Sequence, residues 1–201
     1  MDNDIYIVFF ISNDMVSKVI KGFEKFFLKK NYVFTHVGLA IKTELIVDII
    51  PCTNLKKSKY LVFESTLSGS LNDNVRDVCD NIYLGVQLRS FDELVKEYKA
   101  KKSNMIAYSK ISNLPNNYKE VIRRSITKYI NKGYDLLSMN LLLIHVPISG
   151  IKTDNMFCSE LVCKILKDLN LVSSNVKEKK VSPNTIFNIC SDICTPVYIV
   201  Y

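Results

Sequence analysis

A thiol, an imidazole and a carboxylate stand out for the settings in which they occur. Cys158 lies in "NMFCSELVCKIL" (155–166), His36 in "FTHVGLAI" and Glu64 in "YLVFEST". Asp154–Asn155 supplies a turn that places Cys158 near the first turn of a helix. There the unpaired N–H groups and the positive end of the helix dipole favour a thiolate. The same N–H groups suit an oxyanion formed when a thiolate attacks a carbonyl. The competing reading is a buried structural thiol, since cysteine also behaves as a small apolar residue. Cys163, in the body of the same helix, is the natural control. Cys190 and Cys194 are placed to meet if they fall one helical turn apart, and are expected to be free thiols.

A cysteine nucleophile needs a base, and the chain has two histidines, His36 and His145. Strand alternation puts Phe34, His36 and Gly38 on one face and Thr35, Val37 and Leu39 on the other. His36 then neighbours a residue without a side chain, which leaves room for another group to approach. His145, in "LLLIHVPIS", is a candidate second base or lid residue, against a packing or surface role. A third group must orient the imidazole and favour its charged form. Glu64 is a carboxylate in a strand otherwise made of core residues, so it needs a partner. Cross-strand geometry brings it to His36 if the two strands are neighbours. Glu160, two residues after Cys158, competes for that role, although a first-turn glutamate is also a common helix-start residue. The bland alternative is an outward-facing Glu64 and three residues that never meet.

The elements that must position these groups come in blocks. "IYIVFFI" (5–11) reads as a buried strand, and the following "SNDMVSKVIKGFEKFFLKK" as a helix capped by Ser12 or Asn13. Three strand-like segments follow, 33–42, 44–52 and 59–66, predicting an antiparallel meander. Residues 69–77 are turn-rich. Residues 82–90 predict a strand that runs into a helix, "FDELVKEYKA", capped by Ser90. A strand over 104–111 precedes a helix beginning near Pro115 and ending near Gly133. "YDLLSMNLLLIHVPISG" is read as a helix followed by a loop. Leu161, Ile165 and Leu169 form the apolar stripe of the cysteine helix, about 157–169. Ser182 and Pro183 start a short helix, "SPNTIFNIC", and "PVYIVY" closes the chain as a strand. Strands and helices do not alternate as βαβ, so the class is α+β, in one domain over residues 1–201.

Composition narrows the functional classes. With 201 residues, 48% of them hydrophobic and 23% charged, the chain can bury a sizeable core. The formal net charge is +7. Lysine pairs such as Lys56–Lys57 and Lys179–Lys180 permit contact with an anionic membrane surface, against the plainer reading of solvated lysines. Only four arginines occur, with no aromatic-interleaved basic stripe, which disfavours nucleic-acid binding. No stretch approaches the ~20 apolar residues of a membrane span, and the N-terminus has no cleavable-signal pattern. Six cysteines without that signal suggest free thiols in a reducing, cytoplasmic setting. Two histidines and no C-x-x-C give a metal site no support.

"THVGLAI", "LVFEST", "GYD" and "FCSELV", in that order, resemble the circularly permuted NlpC-type papain-like cysteine peptidases. That superfamily includes the lecithin:retinol acyltransferase-like branch and a set of poxvirus proteins. The similarity runs from the first strand to "VSPNTIF", and the lysine-, asparagine- and isoleucine-rich composition is compatible with a large DNA virus. The resemblance implies an antiparallel sheet packed against the helix that carries the nucleophile. It implies Cys158 as nucleophile, His36 as base and Glu64 as orienting residue, with no cofactor and no metal. The Cys158 N–H would contribute to the oxyanion hole, and Tyr134 or Asp135 would line the site. The reaction implied is cleavage of an amide or ester, peptide, isopeptide or lipid acyl, through a thioester acyl-enzyme. A non-enzymatic module that uses the groove to hold a host protein or lipid is the alternative, because fold alone does not decide function.

Overall fold

The structure is a computed structural model and describes residues 4–12, 34–50, 58–66, 77–81, 84–101, 104–135, 155–195 and 198–199. The strands are β1 (Ile5–Ile11), β2 (His36–Lys42), β3 (Tyr60–Thr66), β4 (Gly85–Ser90), β5 (Met105–Lys110) and β6 (Tyr198–Ile199). They form one antiparallel sheet in the order β4-β3-β2-β1-β5-β6. The helices are α1 (Phe91–Ala100), α2 (Tyr118–Tyr129), α3 (Cys158–Asp168) and α4 (Pro183–Cys190). The class is therefore α+β.

β1 explains its unbroken apolar run. It lies between β2 and β5, and both of its faces are buried. Ile5, Ile7 and Phe9 join the main core with Leu161, Val162, Ile165 and Leu166 of α3. Tyr6, Val8 and Phe10 face the other way, into a second cluster with Leu94 of α1. The predicted apolar stripe of the cysteine helix is the face it packs on the sheet.

Local signals set the helix starts. Ser90 Oγ accepts from the Glu93 N–H at 3.3 Å at the head of α1. Ser182 Oγ accepts from the Thr185 N–H at 3.2 Å before α4, whose first residue is Pro183. α3 has no side-chain cap; it begins straight from extended backbone at Phe157.

One strand prediction fails. Over its described part, the segment read as a strand at 44–52 forms two single-turn 3-10 helices, Thr43–Leu45 and Val47–Ile49. Its apolar residues satisfy helical spacing as well as a buried strand, an ambiguity inherent in short apolar runs. Ile46 is buried while Val47 is 47% exposed, and Leu45 and Ile49 pack on the core edge. Arg123 of α2 holds the turns down, donating to the Leu45 carbonyl at 2.9 Å and to both oxygens of Asp48. The consequence reaches the candidate site: β2 and β3 become direct neighbours, with no strand between them. The helix predicted after Ser12, and the helix and loop predicted within 136–150, lie outside the described residues, as does His145.

Among the described residues, no helix is long and apolar enough to cross a membrane.

Candidate active site

His36 is the first residue of β2 and Glu64 the fifth of β3. Extending the observed register, Leu39 opposite Phe63, puts Gly38 opposite Glu64, so His36 and Glu64 share one face. Their side chains meet: His36 Nε2 lies 2.7 Å from Glu64 Oε2. Gly38 makes this approach possible. A Cβ at that position would stand 2.9 Å from Val62 Cγ1 and 3.2 Å from Glu64 Cβ. Phe10, opposite His36 on β1, lays its ring 5.2 Å from the imidazole, centroid to centroid.

Cys158 is the first residue of α3 and only 5% exposed. Its side chain lies close enough to His36 to act on the imidazole by charge and hydrogen bonding. Since Nε2 is engaged by Glu64, Nδ1 is the ring nitrogen left to exchange a proton with the sulfur. The first helical hydrogen bond runs from Leu161 N–H to the Phe157 carbonyl. The N–H groups of Cys158, Ser159 and Glu160 therefore have no acceptor within the helix.

The backbone leading to Cys158 is stitched to the Glu64 strand. Met156 takes a hydrogen bond on its carbonyl from Ser65 Oγ at 2.5 Å and another from the Asp135 N–H at 3.2 Å. Its own N–H donates to the Gly133 carbonyl at 2.9 Å. Tyr134 bridges Met156 in parallel. Tyr134 and Asp135, singled out from "GYD", thus hold the segment that delivers the cysteine. The Asp135 carboxylate is buried, with the Lys179 ammonium 4.0 Å away. Glu160, the competing carboxylate, is fully buried; its Oε1 lies 2.9 Å from Lys164 Nζ, off the hydrogen-bonding direction. His36 is bonded to Glu64.

Charge is distributed to match. Burial on its own lowers the His36 pKa. Interactions with Cys158 and with the Glu64 carboxylate outweigh it and push the imidazole up to about 10 from 6.5. For Glu64, burial works to raise the pKa, but His36 and then Arg89 hold it below the usual carboxylate range. Cys163 contrasts with the dyad: burial pushes its thiol up to about 11, leaving an inert sulfur.

These shifts carry a sign for stability. A His36 proton bound more tightly in the folded state stabilises fully below the unfolded value of 6.5, and that contribution is lost as pH rises through about 10. Glu64, depressed below 4.5, contributes above that value and loses its contribution as pH falls. The difference in unfolding free energy between wild type and His36→Gln should therefore be greatest at pH 5–6.5 and shrink toward pH 10. Urea titrations across that range measure it. A difference that grows with alkalinity would contradict the assignment.

Sequence reasoning missed three polar residues. Arg89 and Gln87 alternate with Val86 and Leu88 in β4, and that alternation was the available signal. Gln87 stands directly opposite Glu64, buried, with neither amide atom hydrogen-bonded among the described residues. Asn184, in the first turn of α4, takes the Phe34 N–H on Oδ1 and gives Nδ2–H to the Phe34 carbonyl, both at 3.0 Å. It clamps the chain two residues before His36. Asn184→Ala should cost about 2 kcal/mol or more, because two buried backbone groups lose their partners. Chemical denaturation tests this; a loss under 0.5 kcal/mol would show that Phe34 finds other partners.

The cysteines divide. Cys158, Cys163, Cys190 and Cys194 are free, and Cys194 N–H donates to the Cys190 carbonyl at 2.9 Å, one turn along. Cys79, however, is disulfide-bonded. The expectation that all six are free thiols is corrected, since sulfur pairing depends on which loops the fold brings together.

No protein-family model matches this chain, and no curated protein matches it. Among the described residues, no group of three or more histidine, cysteine, aspartate or glutamate side chains is arranged to hold a metal.

Proposed function

We propose that this protein is a cysteine hydrolase or acyltransferase that cleaves an amide or ester bond through a thioester on Cys158. The observation that carries the reading is His36 bridging Cys158, at the start of α3, and Glu64, its cross-strand neighbour. The order His–Glu–Cys along the chain, with an antiparallel sheet packed on the cysteine helix, supports the permuted papain-like fold as part of the same proposal.

The chemistry follows from the groups in place. The Cys158 thiolate attacks the carbonyl carbon while His36 holds the thiol proton. Negative charge gathers on the carbonyl oxygen, where first-turn N–H groups of α3 are the available donors. One such donor is worth roughly 10²–10³ in rate. Collapse expels the amine or alcohol, which takes its proton from His36, and leaves the thioester. His36 then accepts a proton from water, giving a hydrolase, or from an acceptor amine or alcohol, giving a transferase. Peptide or isopeptide amides and lipid acyl groups both suit this sequence, and the +7 charge supports substrates at an anionic membrane surface.

The test is the rate of Cys158 alkylation by iodoacetamide against pH, followed at peptide level by mass spectrometry. Cys158 should react well below the ordinary thiol pKa of ~8.5, and His36→Ala should move its profile upward while Cys163 stays inert. A Cys158 that behaves like Cys163 would end the enzymatic reading and leave a binding module.

A further inference from the structure

Resting on the acyl-transfer reading above, we propose that Arg89 is a positioning residue of this site, holding the Glu64 carboxylate against His36 while itself held by Glu97 of α1.

The sheet register places it for this task. Arg89 pairs with Val62, one pleat along from the Glu64–Gln87 pair, so its side chain rises from the same face as Glu64. Its Nη1 lies 3.5 Å from Glu64 Oε1, and its Nη2 donates to Glu97 Oε2 at 2.5 Å. The two oxygens of Glu64 are thereby divided, Oε2 to the imidazole and Oε1 to the guanidinium. The carboxylate cannot turn without losing one partner. Gln87, though directly opposite Glu64, makes no hydrogen bond to it, so Arg89 is what β4 contributes.

Burial makes the arginine matter. Glu64 is 1% exposed and Arg89 6%, so water screens neither charge well. The charged groups acting on Glu64 are His36 from β2 and Arg89 from β4. Those acting on Arg89 include Glu64, and Glu97 and Tyr98 from α1; those acting on His36 are Cys158 from α3 and Glu64. From the imidazole beside Cys158 to the helix the charges alternate: imidazolium, carboxylate, guanidinium, carboxylate. Without Arg89 the buried Glu64 shifts toward its protonated form, and the imidazolium beside Cys158 loses its counter-charge.

A merely structural arginine would alter stability and leave the pH of Cys158 reaction unchanged. The experiment compares iodoacetamide alkylation of Cys158 against pH in the full chain for wild type, Arg89→Met, Arg89→Lys, Glu97→Gln and His36→Ala. Arg89→Met should raise the midpoint by about one pH unit. Arg89→Lys should restore part of it, and Glu97→Gln should produce a smaller rise. Glu97 is partly exposed, so its variant tests the arrangement even if Arg89→Met does not fold. Midpoints equal to wild type in Glu97→Gln and in each folded Arg89 variant, with His36→Ala still shifted, overturn the role of Arg89 alone. A profile that His36→Ala also leaves unmoved removes the dyad reading, and this proposal with it.

Discussion

Glu64→Leu is expected to destabilise the protein by about 3 kcal/mol or more and to raise the pH at which Cys158 reacts. The carboxylate is the shared partner of two buried groups, the His36 imidazole at 2.7 Å and the Arg89 guanidinium at 3.5 Å. Removing one member of a buried charge set strands the others, which typically costs 3–5 kcal/mol. Glu97 remains as a partner for Arg89 at 2.5 Å, which places the expected loss toward the lower end. Glu64→Gln keeps the shape and part of the hydrogen bonding, so its stability loss should be smaller while the upward move of the Cys158 profile persists. A double variant, Glu64→Leu with Arg89→Leu, should lose at least about 1 kcal/mol less than the sum of the single variants, since it no longer strands the Arg89 guanidinium. Urea unfolding of the four proteins supplies the cycle. Additive losses, or a Glu64→Leu loss below 1 kcal/mol, would mean that the three charges are not coupled as the distances suggest.

Gly85→Ala should be at least as damaging, by about 3 kcal/mol or more, through backbone rather than charge. Gly85 opens β4 with φ +142°, a conformation that residues with a side chain rarely adopt. A Cβ there would stand 2.1 Å from the Lys132 carbonyl oxygen and 2.8 Å from Gly133 Cα. Neither can move aside cheaply. The Val86 N–H donates to that Lys132 carbonyl at 2.7 Å, and the Asn131 N–H returns to the Val86 carbonyl at 2.9 Å. The segment displaced, 132–135, is the one whose hydrogen bonds hold Met156, two residues before Cys158. The variant should therefore lose the wild-type pH profile of Cys158 along with stability, even where it remains folded. Thermal unfolding beside the alkylation profile decides it. A stability change under 1 kcal/mol would show that the loop yields more easily than its hydrogen bonds imply.

Both expectations depend on interactions across sequence gaps of 20 residues or more, and this marks what was legible beforehand. The strand at 5–11, the Ser90 and Ser182 caps, Pro183 at a helix start and the apolar stripe of the cysteine helix are local properties. Each follows from side-chain period, capping chemistry or ring constraint within a few residues. The segment at 44–52 was misread for the same reason, because spacing alone does not tell a buried strand from a turn pinned by Arg123.

The sequence by itself determined the candidate chemical groups and the local elements that carry them: a cysteine opening a helix, a histidine in a strand beside a glycine, and a carboxylate in an apolar strand. Tertiary structure alone decided that β2 and β3 are neighbours, and that His36 bonds Glu64 while Glu160 sits by Lys164. It also placed Arg89 behind Glu64, put Asn184 on the Phe34 backbone and gave Cys79 a disulfide. The physical reason is one of range. Caps and periodicity act over a few residues, whereas sheet register and burial choose which distant charges share a low-dielectric space, and there each must find its partner.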